Sequence, residues 1–201
     1  MGSAALWALS SARLGSYRRR DIGRIRPAKG VPMTVCLYTF VDLFSRQLGT
    51  LDSLLAKGAE HAKAQGVSES DMLDWRLIED MQPLRFQAMV VCNFARLWPA
   101  RVAGLPVPAE IDADLDLAGF RAAIADAKAY LAGLTPEQFA GRDEVPLTHA
   151  LGTGMEPTLP SGQWLTVFAA TNLYFHLSTA YGILRSKGVP IGKIDLFASG
   201  L

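Results

Sequence analysis

The chain has 201 residues, half of them hydrophobic and 19% charged, which is the balance of one globular domain with a real core and sets disorder aside. The formal net charge of +1 hides an asymmetry. Residues 1–32 carry seven basic side chains against the single acid Asp21, which leaves a net charge of about −5 on residues 33–201. That body lacks the basic stripe that neutralises phosphates, so nucleic-acid binding is not expected.

The first 32 residues are rich in Ser and Arg, and Pro27, Gly30 and Pro32 separate them from the first helical pattern. They read as a basic, disordered leader or as translated sequence upstream of a start at Met33, ahead of organelle targeting. The domain is therefore expected over 33–201. Cys36 and Cys92 are the only cysteines, and both sit in apolar runs. They read as small buried hydrophobes in a reducing, cytoplasmic setting.

Helix one is predicted from about 35 to 65, because Leu37, Val41, Phe44, Leu48, Leu51 and Leu55 recur at three- and four-residue steps. Gly66 ends it. Ser68 opens a short helix with Asp71 at the third position. A second long helix starts at Pro83 and runs to about Ala103, with Pro99 near its end and Gly104 closing it. Its stretch from Phe86 to Leu97 is apolar nearly all round, with Gln87 and Asn93 as polar members. That pattern belongs at the centre of a bundle.

A third helix is predicted over about 115–131 from Leu117, Phe120, Ile124, Ala127 and Leu131. Thr135-Pro136-Glu137-Gln138 adds one capped turn. From 143 to 163 the helical period breaks among Gly152, Gly154, Pro157, Pro160 and Gly162. This segment reads as a small hairpin or an irregular excursion. The last long helix is predicted over about 163–187, stopped by Gly188 and Pro190. The fold class is thus all-α, a four-helix bundle with one short excursion before its last long helix.

No acid, Lys or Arg falls between Pro157 and Leu184, a length that would span a bilayer. The same segment holds Gln163, Thr166, Thr171, Asn172, His176, Ser178 and Thr179. Polar groups in that number are costly in lipid, so no membrane span is expected.

Glycine-rich phosphate loops, nucleophile elbows, CxxC and HExxH are all absent. Three histidines remain, His61, His149 and His176. His176 stands mid-helix on an apolar segment, where imidazole needs a partner and is a common metal ligand; the competing reading is a core histidine satisfied by a neighbouring helix. His61, beside a helix C-terminus, reads first as a solvated residue and second as a ligand. His149 falls in the excursion and reads as exposed. Asp80, before Pro83, reads as an acid near a helix start or as a carboxylate turned toward Gln87, with Arg76 as its pairing partner.

Three blocks carry a family resemblance. They are Glu60-His61-Ala62 through Gly66; Arg76-Leu77 with Asp80-Met81-Gln82-Pro83-Leu84 and Gln87; and Asn172 through His176 with Thr179-Ala180-Tyr181, Ile183-Leu184-Arg185 and Gly188 through Lys193. Over roughly 34–197 the chain resembles the DUF1993 family of the DinB/YfiT-like helical superfamily. The resemblance implies a DinB-like four-helix bundle, a homodimer, and in many relatives a divalent metal held by three histidines. Val167 stands where related sequences place a further histidine, so only His176 matches a plausible ligand position.

The resulting expectation is an uncharacterised DinB-like protein, read as a small-molecule enzyme with a degenerate site for a divalent metal (Zn, Ni, Fe or Mn). His176 and His61 are its candidate ligands. His176, Asp80, Tyr174 and Tyr181 are the candidate catalytic residues, and Gln87, Arg76 and Asn172 the candidate pocket. The alternative is a non-catalytic small-molecule-binding or structural dimeric bundle without metal.

Overall fold

The computed structural model describes residues 36–152 and 154–197, so the basic leader lies outside the described residues. The chain runs through α1 (Thr39–Ala64), α2 (Glu69–Leu73), α3 (Leu84–Ala103) and α4 (Leu117–Ala132). A 3-10 turn (Pro136–Phe139) and a two-stranded hairpin, β1 (Pro146–Thr148) and β2 (Thr158–Pro160), come next. The last long helix begins as α5 (Ser161–Gln163), passes through a π-helical stretch (Trp164–Ala169) and becomes α6 (Ala170–Ser186).

The local signals act as their chemistry requires. Ser68 accepts a hydrogen bond from the Asp71 amide at the start of α2, and Thr135 and Gln138 form a reciprocal capping box. Gly104, with φ of 71°, closes α3; there Arg142 Nε donates to the Val102 carbonyl at 2.8 Å and satisfies the helix end. The six apolar residues predicted to line α1 and the five predicted to line α4 are all buried. The first helix begins later than its pattern suggested, because residues 36–38 form tight i+3 bonds before Thr39. Cys92 is buried, with its thiol pushed up to about 12 by desolvation. Cys36, expected inside, is exposed, because it precedes the first turn of the helix.

Side-chain contacts fix the directions of the helices. Gln47 meets Tyr174, and His61 meets the Lys187 carbonyl, so α1 and α6 run parallel. Gln87 meets His176, and Trp98 stacks on Trp164, so α3 and the last helix run antiparallel. Tyr38 reaches the Leu134 carbonyl and Asp52 meets Arg121, so α1 and α4 are antiparallel as well. The order is up, down, down, up. α3 touches all three other long helices, as its all-round apolar pattern predicts. The hairpin pairs Leu147 with Leu159 and is pinned to the last helix by Trp164 Nε1 donating to the Leu147 carbonyl at 2.7 Å.

Asn93 shows how a polar residue survives in such a core. Its Nδ2 donates to the Ile111 carbonyl at 3.1 Å and its Oδ1 accepts from the Ile111 amide at 2.9 Å, clamping the α3–α4 connection. Asn93→Leu keeps the volume and strands both backbone groups. It should destabilise the fold by about 1–3 kcal/mol, read as a lower urea midpoint with an unchanged m value.

Candidate functional site

One polar constellation crosses between α3 and α6. The Gln82 carbonyl, just ahead of α3, accepts from Gln87 Nε2 at 3.0 Å. Gln87 is 3% exposed, and its Oε1 lies 2.7 Å from His176 Nδ1. A backbone carbonyl can only accept, so it orients the Gln87 amide and turns the amide oxygen toward the ring. His176 Nδ1 must therefore carry the proton. The Nε2 lone pair is left free, and Nε2 has no hydrogen-bond partner among the described residues. The rings of Phe86 and Phe175 flank the imidazole edge-on at 6.0 and 5.1 Å. Burial in this apolar setting pushes the imidazole down to about 4, so the ring is neutral at physiological pH.

The remaining residues singled out in the sequence lie elsewhere. Asp80 is exposed, and its carboxylate makes no hydrogen bond or ion pair with a described residue. Arg76 donates to the Glu79 carbonyl at 3.3 Å within its own loop. Tyr174, on the outward side of α6, accepts from Gln47 at 3.3 Å, and burial of its ring raises the phenol. Asn172 donates back to the Phe168 carbonyl at 2.7 Å. Tyr181 is half-buried against the core. Of these candidates, then, His176 and Gln87 are the pair in direct contact.

The histidines do not converge. His61 Nε2 sits 3.1 Å from the Lys187 carbonyl, capping the end of α6 eleven positions beyond His176, roughly 16 Å along the axis. His149, expected in solvent, is half-buried. Its ring centroid lies 4.9 Å from Trp98 and 5.9 Å from Trp164. Burial and the nearby Arg101 guanidinium lower its basicity. A protein-bound transition metal needs three or four converging donors. Among the described residues no group of three or more His, Cys, Asp or Glu side chains is placed to hold one. These residues do not fit a three-histidine metal centre.

Two features escaped the sequence reading. One is the aromatic nest at the far end of the α3–α6 contact, where Trp98 stacks on Trp164 with centroids 5.1 Å apart and Phe168 meets both rings edge-on. The other is the π-helical stretch that carries Trp164 and Phe168; single π turns have no residue signature of their own. A surface cavity of about 430 Å³ lies between α1 and α4, lined by Asp52, Arg121, Ile124, Ala125 and Lys128, and includes none of the residues around His176.

Residues 37–197 match the family model described as a domain of unknown function, DUF1993. The chain belongs to the DUF1993 family. A crystal structure of a DinB family member protein from Shewanella denitrificans is similar at a TM-score of 0.72 and 32% identity, over 80% of this chain and 90% of that one. DUF1993 here is therefore a DinB-like helical bundle. No curated protein matches the chain. Among the described residues, no helix is long and apolar enough to cross a membrane.

Two measurements check the histidine assignment. The unfolded chain protonates His176 near 6.5 and the folded chain only near 4. The stabilisation is thus complete above pH 6.5 and is lost as the pH falls through that window. His176→Gln should flatten the fall in urea midpoint between pH 6.5 and 4. In nitrogen NMR the wild type should show the Nδ1–H tautomer, and Gln87→Met, which removes the acceptor, should give a mixture.

Proposed function

We propose that this DUF1993 protein is a small-molecule-binding bundle whose ligand docks on the free Nε2 of His176. The ligand class is a neutral, apolar or aromatic molecule bearing a hydroxyl or amine donor. The observation that carries this reading is the chain from the Gln82 carbonyl through Gln87 to His176, which presents a neutral acceptor at a fixed tautomer. Phe86 and Phe175 supply apolar flanks, and among the described residues no ion pair involves the ring.

Binding is favoured over general-base catalysis by the imidazole itself. A base working near neutrality is most effective with a pKa near the operating pH. A ring pushed down to about 4 accepts a hydrogen bond but holds a proton poorly. Asp80, the carboxylate expected to orient it, makes no bond to it. The exposed, unpaired Cys36 supports a reducing compartment such as the cytoplasm.

The test uses phenol as probe, because its ring suits Phe86 and Phe175 and its hydroxyl suits Nε2. Titration should shift the His176 Nε2 resonance saturably, and His176→Phe should abolish binding. Elemental analysis of untagged, chelator-free protein decides the competing metal reading. Near-stoichiometric zinc, nickel, iron or manganese that disappears in His176→Ala would replace the proposal with a metal-dependent enzyme.

A further inference from the structure

The end of the α3–α6 seam away from His176 holds two side chains that the fold leaves unused. Arg101, near the end of α3, lies with its guanidinium carbon 5.2 Å from the centre of the Trp98 ring. His149, from the connection between β1 and β2, meets the same indole edge-on at 4.9 Å. Neither the guanidinium nor the imidazole makes a hydrogen bond or ion pair with a described residue. Each is the exception of its kind. Every other arginine among the described residues donates to a protein acceptor, and His61 and His176 both have hydrogen-bond partners. Both side chains are half-buried, yet none of their nitrogens is sealed from solvent, so a ligand can reach them. Stacking on Trp98 offsets part of the cost of a partly desolvated cation, and the missing acceptor leaves the rest. Glu110 acts on Arg101 from a distance, but it is exposed and forms no ion pair with it.

We propose that Arg101 and His149 hold the carboxylate of a small organic acid beside the Trp98 ring. The guanidinium presents a fork of N–H donors that fits the two oxygens of a carboxylate, and a neutral imidazole adds one N–H. Arg101 is the one fixed cation of the pair. It neutralises a monoanion, whereas a phosphate dianion would keep uncompensated charge in a half-buried setting. Trp98, Trp164 and Phe168 supply apolar surface for the rest of the acid. Binding is coupled to protonation. Arg101 is the charged group that acts on the His149 ring, and together with burial it holds the imidazole below its ordinary value; Glu110 acts on Arg101 in turn. A bound carboxylate favours the imidazolium, so binding should tighten as the pH falls. Gln87 stands eleven positions before Trp98 on α3, roughly 16 Å along the axis. The site is therefore separate from that of His176, and the inference does not depend on what His176 binds.

Butyrate is the probe, added to the full chain at constant ionic strength so that general screening does not change. In nitrogen NMR it should shift the His149 ring resonances saturably, raise the pH midpoint of that ring and leave His176 unmoved. Butyramide, which has the same shape without the charge, should shift neither ring. Arg101→Gln should weaken butyrate binding about tenfold or more, read by tryptophan fluorescence, with unchanged helical circular dichroism. His149→Phe keeps a ring against Trp98. By calorimetry it should bind butyrate more weakly and lose the pH dependence, and it supplies the test should Arg101→Gln fail to fold. The proposal is overturned if butyrate leaves His149 unmoved or moves His176 instead, or if butyramide binds as well as butyrate. Displacement of butyrate by an equal concentration of phosphate overturns it too, as does wild-type affinity in the folded variants.

Discussion

The antiparallel seam between α3 and the last helix is the contact on which the rest of the structure depends. One end of that seam is apolar, the stack of Trp98 on Trp164 with Phe94 and Phe168 around it. The other end is polar, Gln87 on His176. α3 is buried along most of its length, so it has no polar side to turn to water. Its position is set by the surfaces that surround it. α6, α1 and α4 all pack against it, α1 also meets α6 and α4, and α2 touches α1, α3 and α4.

Burying so apolar an element makes partners for its polar groups costly to omit, and several of those groups find them within their own helix. Thr166, Asn172 and Thr179 return their hydrogen bonds to carbonyls four residues back in their own helix. Asn93 spends both ends of its amide on the Ile111 backbone. Those bonds consume the polar capacity of the segment and leave no chemistry behind. His176 differs. Its Nδ1 is consumed by Gln87, yet an imidazole has a second nitrogen, and nothing in the described fold uses it. A free, neutral acceptor on an otherwise satisfied helix is the feature that distinguishes this seam from a purely structural one.

Burial sets what such a group can do. Removing the imidazole from water penalises the cation and leaves the lone pair intact. The same environment that makes His176 a poor base keeps it available as an acceptor over the physiological range. The other two histidines have different tasks. His61 closes a helix end, and His149 fills a gap against two tryptophans. The three imidazoles of the chain are thus divided among three places, and their number alone does not make a common centre.

The sequence by itself determined the elements. Apolar spacing located the four long helices, Gly104 and Gly188 placed the ends of two of them, and Ser68 and Thr135 placed the starts of the short α2 and the 3-10 turn, because capping and glycine conformation depend on neighbours a few residues away. Gln87 and His176 were also legible as polar intruders on apolar faces. Their pairing was not, since the positions lie 89 residues apart, and Asp80 looked the better partner on charge alone. Only the tertiary structure decided that the amide and not the carboxylate meets the ring. The antiparallel seam brings the first turn of α3 opposite the middle of α6, while the loop that carries Asp80 stays in solvent. It likewise decided the parallel pairing of α1 with α6 and the burial of His149. All three depend on how whole helices pack, and periodicity within one helix carries no information about the direction of the next.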